Sequence, residues 1–341
     1  MKEETPIAIP DIGKLVLSII SVLLLMGINF SYGNEATLGG KWQRLPDMPT
    51  PRTEVDGVIH DGVIYVAGGF SAGRTTSAAF EAYHVKDSRW ETLPDMPQPS
   101  HHPAVTAADG KIYVSGGWYG APRQPGRRML NCLWAYDIAT RKWRQKADMP
   151  YRWGAHRKVH YNGGLYVITG SGQQPSHVLR YDIKKDSWKV LDARLEVTRD
   201  HAAITQVGDE FYIISGRSAG RDEQPRVDVF NLSTYEFRRL ADIPTPRAGG
   251  TAEYANGRIY VVGGEVVGDR GDDNHIALDN VEVYDIERET WLRGPDLPYT
   301  IHAQASGQHD GFVYVMGGST AAWVASYDTL TGNTFVLDTN R

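Results

Sequence analysis

Six times along this chain a short apolar strand closes on two small residues. The segments are IYVAGG ending at Gly69, IYVSGG at Gly117, LYVITG at Gly170, FYIISG at Gly216, IYVVGG at Gly264 and VYVMGG at Gly318. A period of roughly fifty residues means one supersecondary unit copied in space, and few folds accommodate that. Other marks keep step with the doublets. A second strand ends in an aromatic residue (Tyr83, Tyr136, Tyr181, Phe230, Tyr284, Tyr327), usually followed by Asp. A third opens on another aromatic: Trp90, Trp143, Trp188, Phe237, Trp291, Phe335. A Pro-rich corner follows, as in LPDMP at Leu45 and Leu93, and a fourth strand leads into the next doublet.

Each unit is thus a sheet of four short antiparallel strands with two apolar faces, which it cannot bury alone. Radial stacking buries each face against a neighbour. Glycine allows close backbone approach where such sheets crowd, and Trp and Tyr fill the widening gap between them. The glycine doublets, the Tyr-Asp and the Trp at these offsets resemble the kelch repeat over nearly all of 40–338. The resemblance implies an all-β, six-bladed kelch-type β-propeller with four antiparallel strands per blade. The fourth repeat departs most: Ser215-Gly216 replaces Gly-Gly, Phe237 replaces Trp, and no LPDMP corner occurs near Leu191. Closure has two candidates, because Trp42–Leu45 and Thr334–Leu337 both match the third-strand pattern. Trp42 with its LPDMP fits better, so the N-terminal strand is expected to complete the last blade.

Before the repeats, Leu15–Phe30 is almost wholly apolar, follows Lys14 and precedes Ser31, Tyr32 and Gly33. This reads as a signal peptide over 1–33, giving a periplasmic or secreted protein with no membrane insertion after cleavage. The run is short for a membrane span, and an uncleaved anchor is the alternative. Cys132 is the only cysteine, so no internal disulfide and no Cys-rich metal site is available. A net charge of -5 gives no basic field for nucleic acid.

In kelch propellers, ligands commonly meet the loops before the innermost strand and those after the glycine doublet. Counting back from the Tyr of each glycine strand aligns Arg52, Ser100, Trp153, Arg199, Arg247 and Ile301. The next position holds Thr53, His101, Gly154, Asp200, Ala248 and His302, with Glu54, His102, His156 and His201 nearby. Polar residues that differ from blade to blade on a repeated scaffold mark a binding face. The candidate rim is therefore Arg52, Glu54, His101, His102, Trp118, Trp153, His156, Arg199, Asp200, His201, Arg247 and His302. Arg52 and Arg247, in the repeat's Pro-Arg, have a competing role in satisfying corner carbonyls. Trp118 and Tyr119 suit a sugar face, and Arg123, Arg127 and Arg128 suit an oxyanion.

No metal or other cofactor is expected. Histidines spread around a ring seldom meet at one point. Asp269–Asn274 lacks EF-hand spacing, and Arg270-Gly271-Asp272 is a common tripeptide. Asn231-Leu232-Ser233 fits a glycosylation pattern, but Asn231 occupies the Tyr-Asp position of its strand. The expected partner is a glycan or protein held on the rim, with no bond broken. The alternative follows from a resemblance to the sialic acid mutarotases in length, signal peptide and repeat number. That chemistry needs one group to take a proton and another to give it, for which Glu54, His102, His156 and His201 are candidates.

Overall fold

The computed structural model describes residues 38–340, apart from 123, 219–221 and 269–274. The expected signal peptide, Arg123 and the acidic run Asp269–Asn274 lie outside the described residues. Six four-stranded antiparallel sheets form the blades of a propeller. In blade 1 the strands are Asp56–His60, Val63–Ala67, Phe80–His84 and Arg89–Thr92, from the axis outward. Blades 2 to 5 follow the same order, with innermost strands Ala104–Ala108, Arg157–Tyr161, Ala203–Val207 and Thr251–Ala255.

The aromatic spacing has a direct cause. Tyr83 sits opposite Trp90 across the outer hairpin, and Tyr136–Trp143, Tyr181–Trp188, Phe230–Phe237 and Tyr284–Trp291 repeat the pair. The following Asp closes the turn between them: Asp137 Oδ1 accepts the Thr140 amide at 2.9 Å, and Asp182 accepts the Lys185 amide at 2.9 Å. Asn231 does the same for Ser233 and Thr234, at 2.9 and 2.8 Å, which is the structural role read from its position.

The core lies between blades. Tyr65, Phe80 and Leu93 of blade 1 pack on Val105, Ile112 and Tyr136 of blade 2. Equivalent clusters fill the other seams. Fully buried rings such as Phe80 and Phe211 each contribute about 2–3 kcal/mol. Outer tryptophans stitch the seams further. The indoles of Trp90, Trp143, Trp188, Trp291 and Trp42 donate to the carbonyls of Pro46, Pro94, Ala147, Ala241 and Pro295, each in the preceding corner, at 2.7–3.1 Å. The seam between blades 3 and 4 lacks this bond. There the outer strand Ser187–Arg194 runs on instead of turning at a corner, and its neighbour carries Phe237, which has no N–H to donate. Two departures that look separate in the sequence are one local change.

Closure uses both termini. The last blade runs Ala305–His309, Phe312–Met316, Thr334–Asp338 and then Trp42–Leu45 at its outer edge. The N-terminal strand does complete it. Thr334–Leu337, however, is not a spare outer strand. It takes the second-strand place assigned to Tyr327-Asp328, with Leu337 opposite Trp42. Trp323–Tyr327 instead forms a short 3-10 turn.

Candidate functional site

Each blade corner contributes three consecutive residues with three different roles. The first position holds Arg52, Ser100, Trp153, Arg199, Arg247 and Ile301, all 2 % exposed or less. Its carbonyl accepts the N–H of the preceding blade's second glycine. Gly69, Gly117, Gly170, Gly216, Gly264 and Gly318 donate in turn to Ser100, Trp153, Arg199, Arg247, Ile301 and Arg52 at 2.7–2.8 Å, a circle with no gap. Those glycines have φ between +84° and +114°, and a Cβ at Gly69 would stand 2.5 Å from the Thr53 carbonyl oxygen, so the position requires glycine. The side chain of the first corner residue turns into its own sheet. Arg52 donates to the Gly68 carbonyl at 2.6 Å and pairs with Glu81 at 2.7 Å. Arg199 pairs with Asp228 at 2.7 Å and Arg247 with Glu282 at 2.5 Å. The Trp153 indole donates to the Gln173 carbonyl. Arg52, Trp153, Arg199 and Arg247, expected on the rim, are therefore sealed inside blades. His156 is also fully buried, 2.9 Å from Ser115 Oγ, away from the cavity.

The second position pairs with the residue after the doublet: Thr53 with Phe70, His101 with Trp118, Gly154 with Ser171, Asp200 with Arg217, Ala248 with Glu265 and His302 with Ser319. The third position is Glu54, His102, Ala155, His201, Gly249 and Ala303, all at φ between +49° and +65°. Their amides are chained around the axis. His102 donates to Glu54 O, Ala155 to His102 O, His201 to Ala155 O, Gly249 to His201 O and Ala303 to Gly249 O, at 2.7–3.3 Å. Because alanine adopts this left-handed turn too, the conformation belongs to the scaffold.

Second and third positions, with the residues after the doublets, enclose a cavity of about 650 Å³ at the mouth of the central channel, to which all six blades contribute. Glu54, His101, His102, Trp118, Asp200, His201 and His302 from the sequence-derived set line it. So do Arg74, Arg127, Ser171, Arg217, Glu265, Trp323 and Tyr327. Three guanidinium groups lie over aromatic faces: Arg127 over Trp118 at 5.6 Å, Arg217 over Trp323 at 5.7 Å and Arg74 over Tyr327 at 5.3 Å. Trp118 reaches across the corner of the next blade, where a Cβ at Gly154 would collide with its ring. Tyr119 lies outside the lining, is exposed and stacks under Arg128 at 4.4 Å.

Two carboxylate–imidazole contacts form the floor. His102 Nε2 lies 2.9 Å from Glu54, and His201 Nδ1 lies 2.6 Å from Asp200 while its Nε2 stands 3.9 Å from Glu54. Burial alone raises the Glu54 carboxyl, but His102, His201 and His302 outweigh it and hold it well below the usual carboxylate range. Asp200 is held down in the same way by His201 and Arg217. Arg217 bridges to Glu265 at 2.8 Å and Asp200 at 3.6 Å. Burial disfavours its charge, but the carboxylates of Glu265, Asp200 and Glu54 raise its pKa above the ordinary value. Glu265 also accepts the Trp323 amide at 2.7 Å and faces His302 at 3.4 Å. Behind His102, its Nδ1 meets His101 Nδ1 at 2.6 Å, and His101 Nε2 lies 3.2 Å from the Gly120 carbonyl.

Arg217, Glu265 and Ser171 escaped the sequence reading, yet a signal was present. They occupy the same offset as Trp118, directly after the doublet. Trp323 and Tyr327 carried no such signal, because the sequence assigns their segment to a strand.

Residues 64–326 match the sequence model of the Attractin/LZTR1 beta-propeller. The chain belongs to that family. Kelch-like protein 36 of Rattus norvegicus is 24 % identical over 78 % of this chain, and Kelch-like protein 40a of Danio rerio 27 % identical over 41 %. The chain spans 43 % and 23 % of those relatives' lengths. Kelch-like protein terF of Aspergillus terreus is 26 % identical over 89 % of this chain and 71 % of its own length. Among solved structures, YjhT superposes with a TM-score of 0.73 at 18 % identity, covering 86 % of this chain and 96 % of YjhT. The family propeller, kelch-like in its relatives, thus agrees with the blades described here.

Proposed function

We propose that this propeller binds a small saccharide, of one or two rings, in the cavity at the channel mouth. The observation that carries this reading is the cavity itself: about 650 Å³, with Trp118, Trp323 and Tyr327 on the walls and a carboxylate–imidazole floor. That volume falls in the range of about 300–1,000 Å³ typical of small-ligand sites. Aromatic faces suit sugar C–H faces, the floor offers acceptors for hydroxyls, and Arg127 at the mouth favours an acidic sugar, whereas Arg74 is already paired with Asp328 at 3.1 Å. A glycan array with the chain from residue 34 onward tests this, and Glu54→Gln is expected to weaken the selected glycan by about 100-fold without unfolding the ring. Retention of full affinity in Glu54→Gln, or a protein partner captured with no glycan bound, would overturn it.

A second reading, sugar mutarotation, is favoured by one contact. Glu54 and His102, in hydrogen-bond reach at 2.9 Å, face the same cavity and offer a group to take a proton and one to give it. Saturation-transfer NMR on free sialic acid distinguishes catalysis from binding. The apolar run Leu15–Phe30 supports export, and N-terminal sequencing of the mature chain tests a cut after Gly33.

A further inference from the structure

Glu54, His102 and His201 come from three different blades, yet their donor atoms all lie within 4.8 Å of one another. Each side chain keeps only about a tenth of its surface exposed (10 % for His102 and His201, 11 % for Glu54). We propose that these three residues bind a divalent first-row metal ion of the zinc class on the propeller axis, with its open position toward the cavity.

Three features of the geometry support it. A tetrahedral zinc with bonds near 2.1 Å holds its donors about 3.4 Å apart. The separations of 2.9 Å for His102–Glu54 and 3.9 Å for His201–Glu54 bracket that spacing, and the whole set lies within 4.8 Å, so the imidazoles must close inward on the ion. The donor set is two imidazoles and one carboxylate, which leaves a coordination position free for water or ligand. Finally, each imidazole offers Nε2 to the centre and is held from behind through Nδ1. His201 Nδ1 lies 2.6 Å from Asp200, and His102 Nδ1 lies 2.6 Å from His101. Such outer partners fix the tautomer and ring orientation that a metal ligand needs.

A metal also settles the direction of the hydrogen bonds that run from His102 through His101 to Gly120. With His102 Nε2 as a ligand, His102 Nδ1–H donates to His101 Nδ1, and His101 Nε2–H donates to the Gly120 carbonyl 3.2 Å away. Both rings are then ordinary single-proton imidazoles. If instead His102 Nε2–H donates to an ionised Glu54, the same contacts require three N–H protons on two rings, an extra positive charge in a buried place. His302 stands outside the centre, directed at Glu265. Glu54, His102 and His201 hold the same place in repeats 1, 2 and 4, but spacing in the sequence does not show that their side chains converge.

The test needs no saccharide and is therefore independent of the ligand reading. Zinc alone is titrated calorimetrically into chelator-treated chain. One equivalent is expected, with binding lost in His102→Ala and His201→Ala and weakened about 10–100-fold in Asp200→Asn. Replacing His309, partly exposed and far from the three residues in the fold, with Ala is expected to change nothing. Zinc-edge X-ray absorption on the loaded wild-type chain is expected to show two imidazole nitrogens at about 2.0–2.1 Å. No uptake by the wild-type chain overturns the proposal whatever the variants do. So does a double variant, His102→Ala with His201→Ala, that remains folded by circular dichroism and still takes its equivalent of zinc.

Discussion

The first and third residues of each blade corner lie two positions apart and behave oppositely. At the first position Arg52, Arg199 and Arg247 vanish into their sheets, each holding a buried carboxylate and carbonyls left over at the strand ends. At the third, Glu54, His102 and His201 face one another across the axis. Both sets are polar and both vary between blades. What separates them is backbone direction. One carbonyl is committed to the neighbouring blade's glycine, and two residues later a left-handed turn swings the chain toward the channel. Residue type alone does not tell a binding rim from an internal brace, whereas position in the turn does.

The comparison breaks most visibly at the buried pairs. Arg199→Met strips buried Asp228 of one of its two guanidinium partners, leaving Arg226 at 2.9 Å, and is expected to cost about 2–3 kcal/mol in chemical denaturation. An unchanged midpoint would place Arg199 in the same class as the rim residues. On the cavity side, Gly154→Ala pushes a methyl group into the Trp118 ring. We expect about 10-fold weaker glycan binding with a shifted tryptophan emission and only a modest loss of stability, read by fluorescence titration beside a thermal melt. The outer stitches sharpen the contrast further. Trp143→Phe removes one hydrogen bond to the Pro94 carbonyl and is expected to cost about 1 kcal/mol, leaving cavity affinity untouched.

A separate, pH-dependent effect comes from the channel below the cavity. Burial pushes Glu253 up to about 7, its carboxyl resting 2.6 Å from Ser306 Oγ. Burial pulls Lys158 down to about 7, where it donates to the Tyr113 carbonyl at 3.0 Å. Between the ordinary carboxylate range and pH 7 the folded chain holds the Glu253 proton that the unfolded chain has released, so stability falls as pH rises. Between pH 7 and the ordinary lysine range the unfolded chain holds the Lys158 proton, so stability rises with pH. A minimum near neutrality is expected in melts across pH. Glu253→Gln should remove its acidic arm alone, and the cavity variants should leave it in place.

Much of this architecture was legible. The glycine doublets need positive φ, and the two aromatics of each hairpin sit opposite one another, so both leave fixed spacings in the sequence. The last blade was misread for a related reason: Tyr327 and Phe335 are set one residue further apart than the pairs in the other blades, and no hairpin joins them. Seven of the twelve rim candidates line the cavity. Arg52, Trp153, His156, Arg199 and Arg247 do not, because counting fixes a residue's place in the repeat but not which way its side chain faces. Arg217 and Glu265 were overlooked since each stands alone in its loop, and only the alignment on the doublet groups them with Trp118.

The joining of Trp42–Leu45 to Thr334–Asp338 in one sheet has a consequence for how the molecule is made. The ribosome delivers the first of these segments long before the second exists. Five blades have all their own strands while the sixth waits, and the earliest segment must stay unpaired and uncommitted until the rest of the chain has emerged. Bringing together stretches so distant in the chain is an entropically costly step and sets a slow pace. Once made, that union is a clasp. Loosening it opens a flat sheet edge and an apolar seam together, so nicking or trimming this strand should convert a closed ring into an aggregating arc.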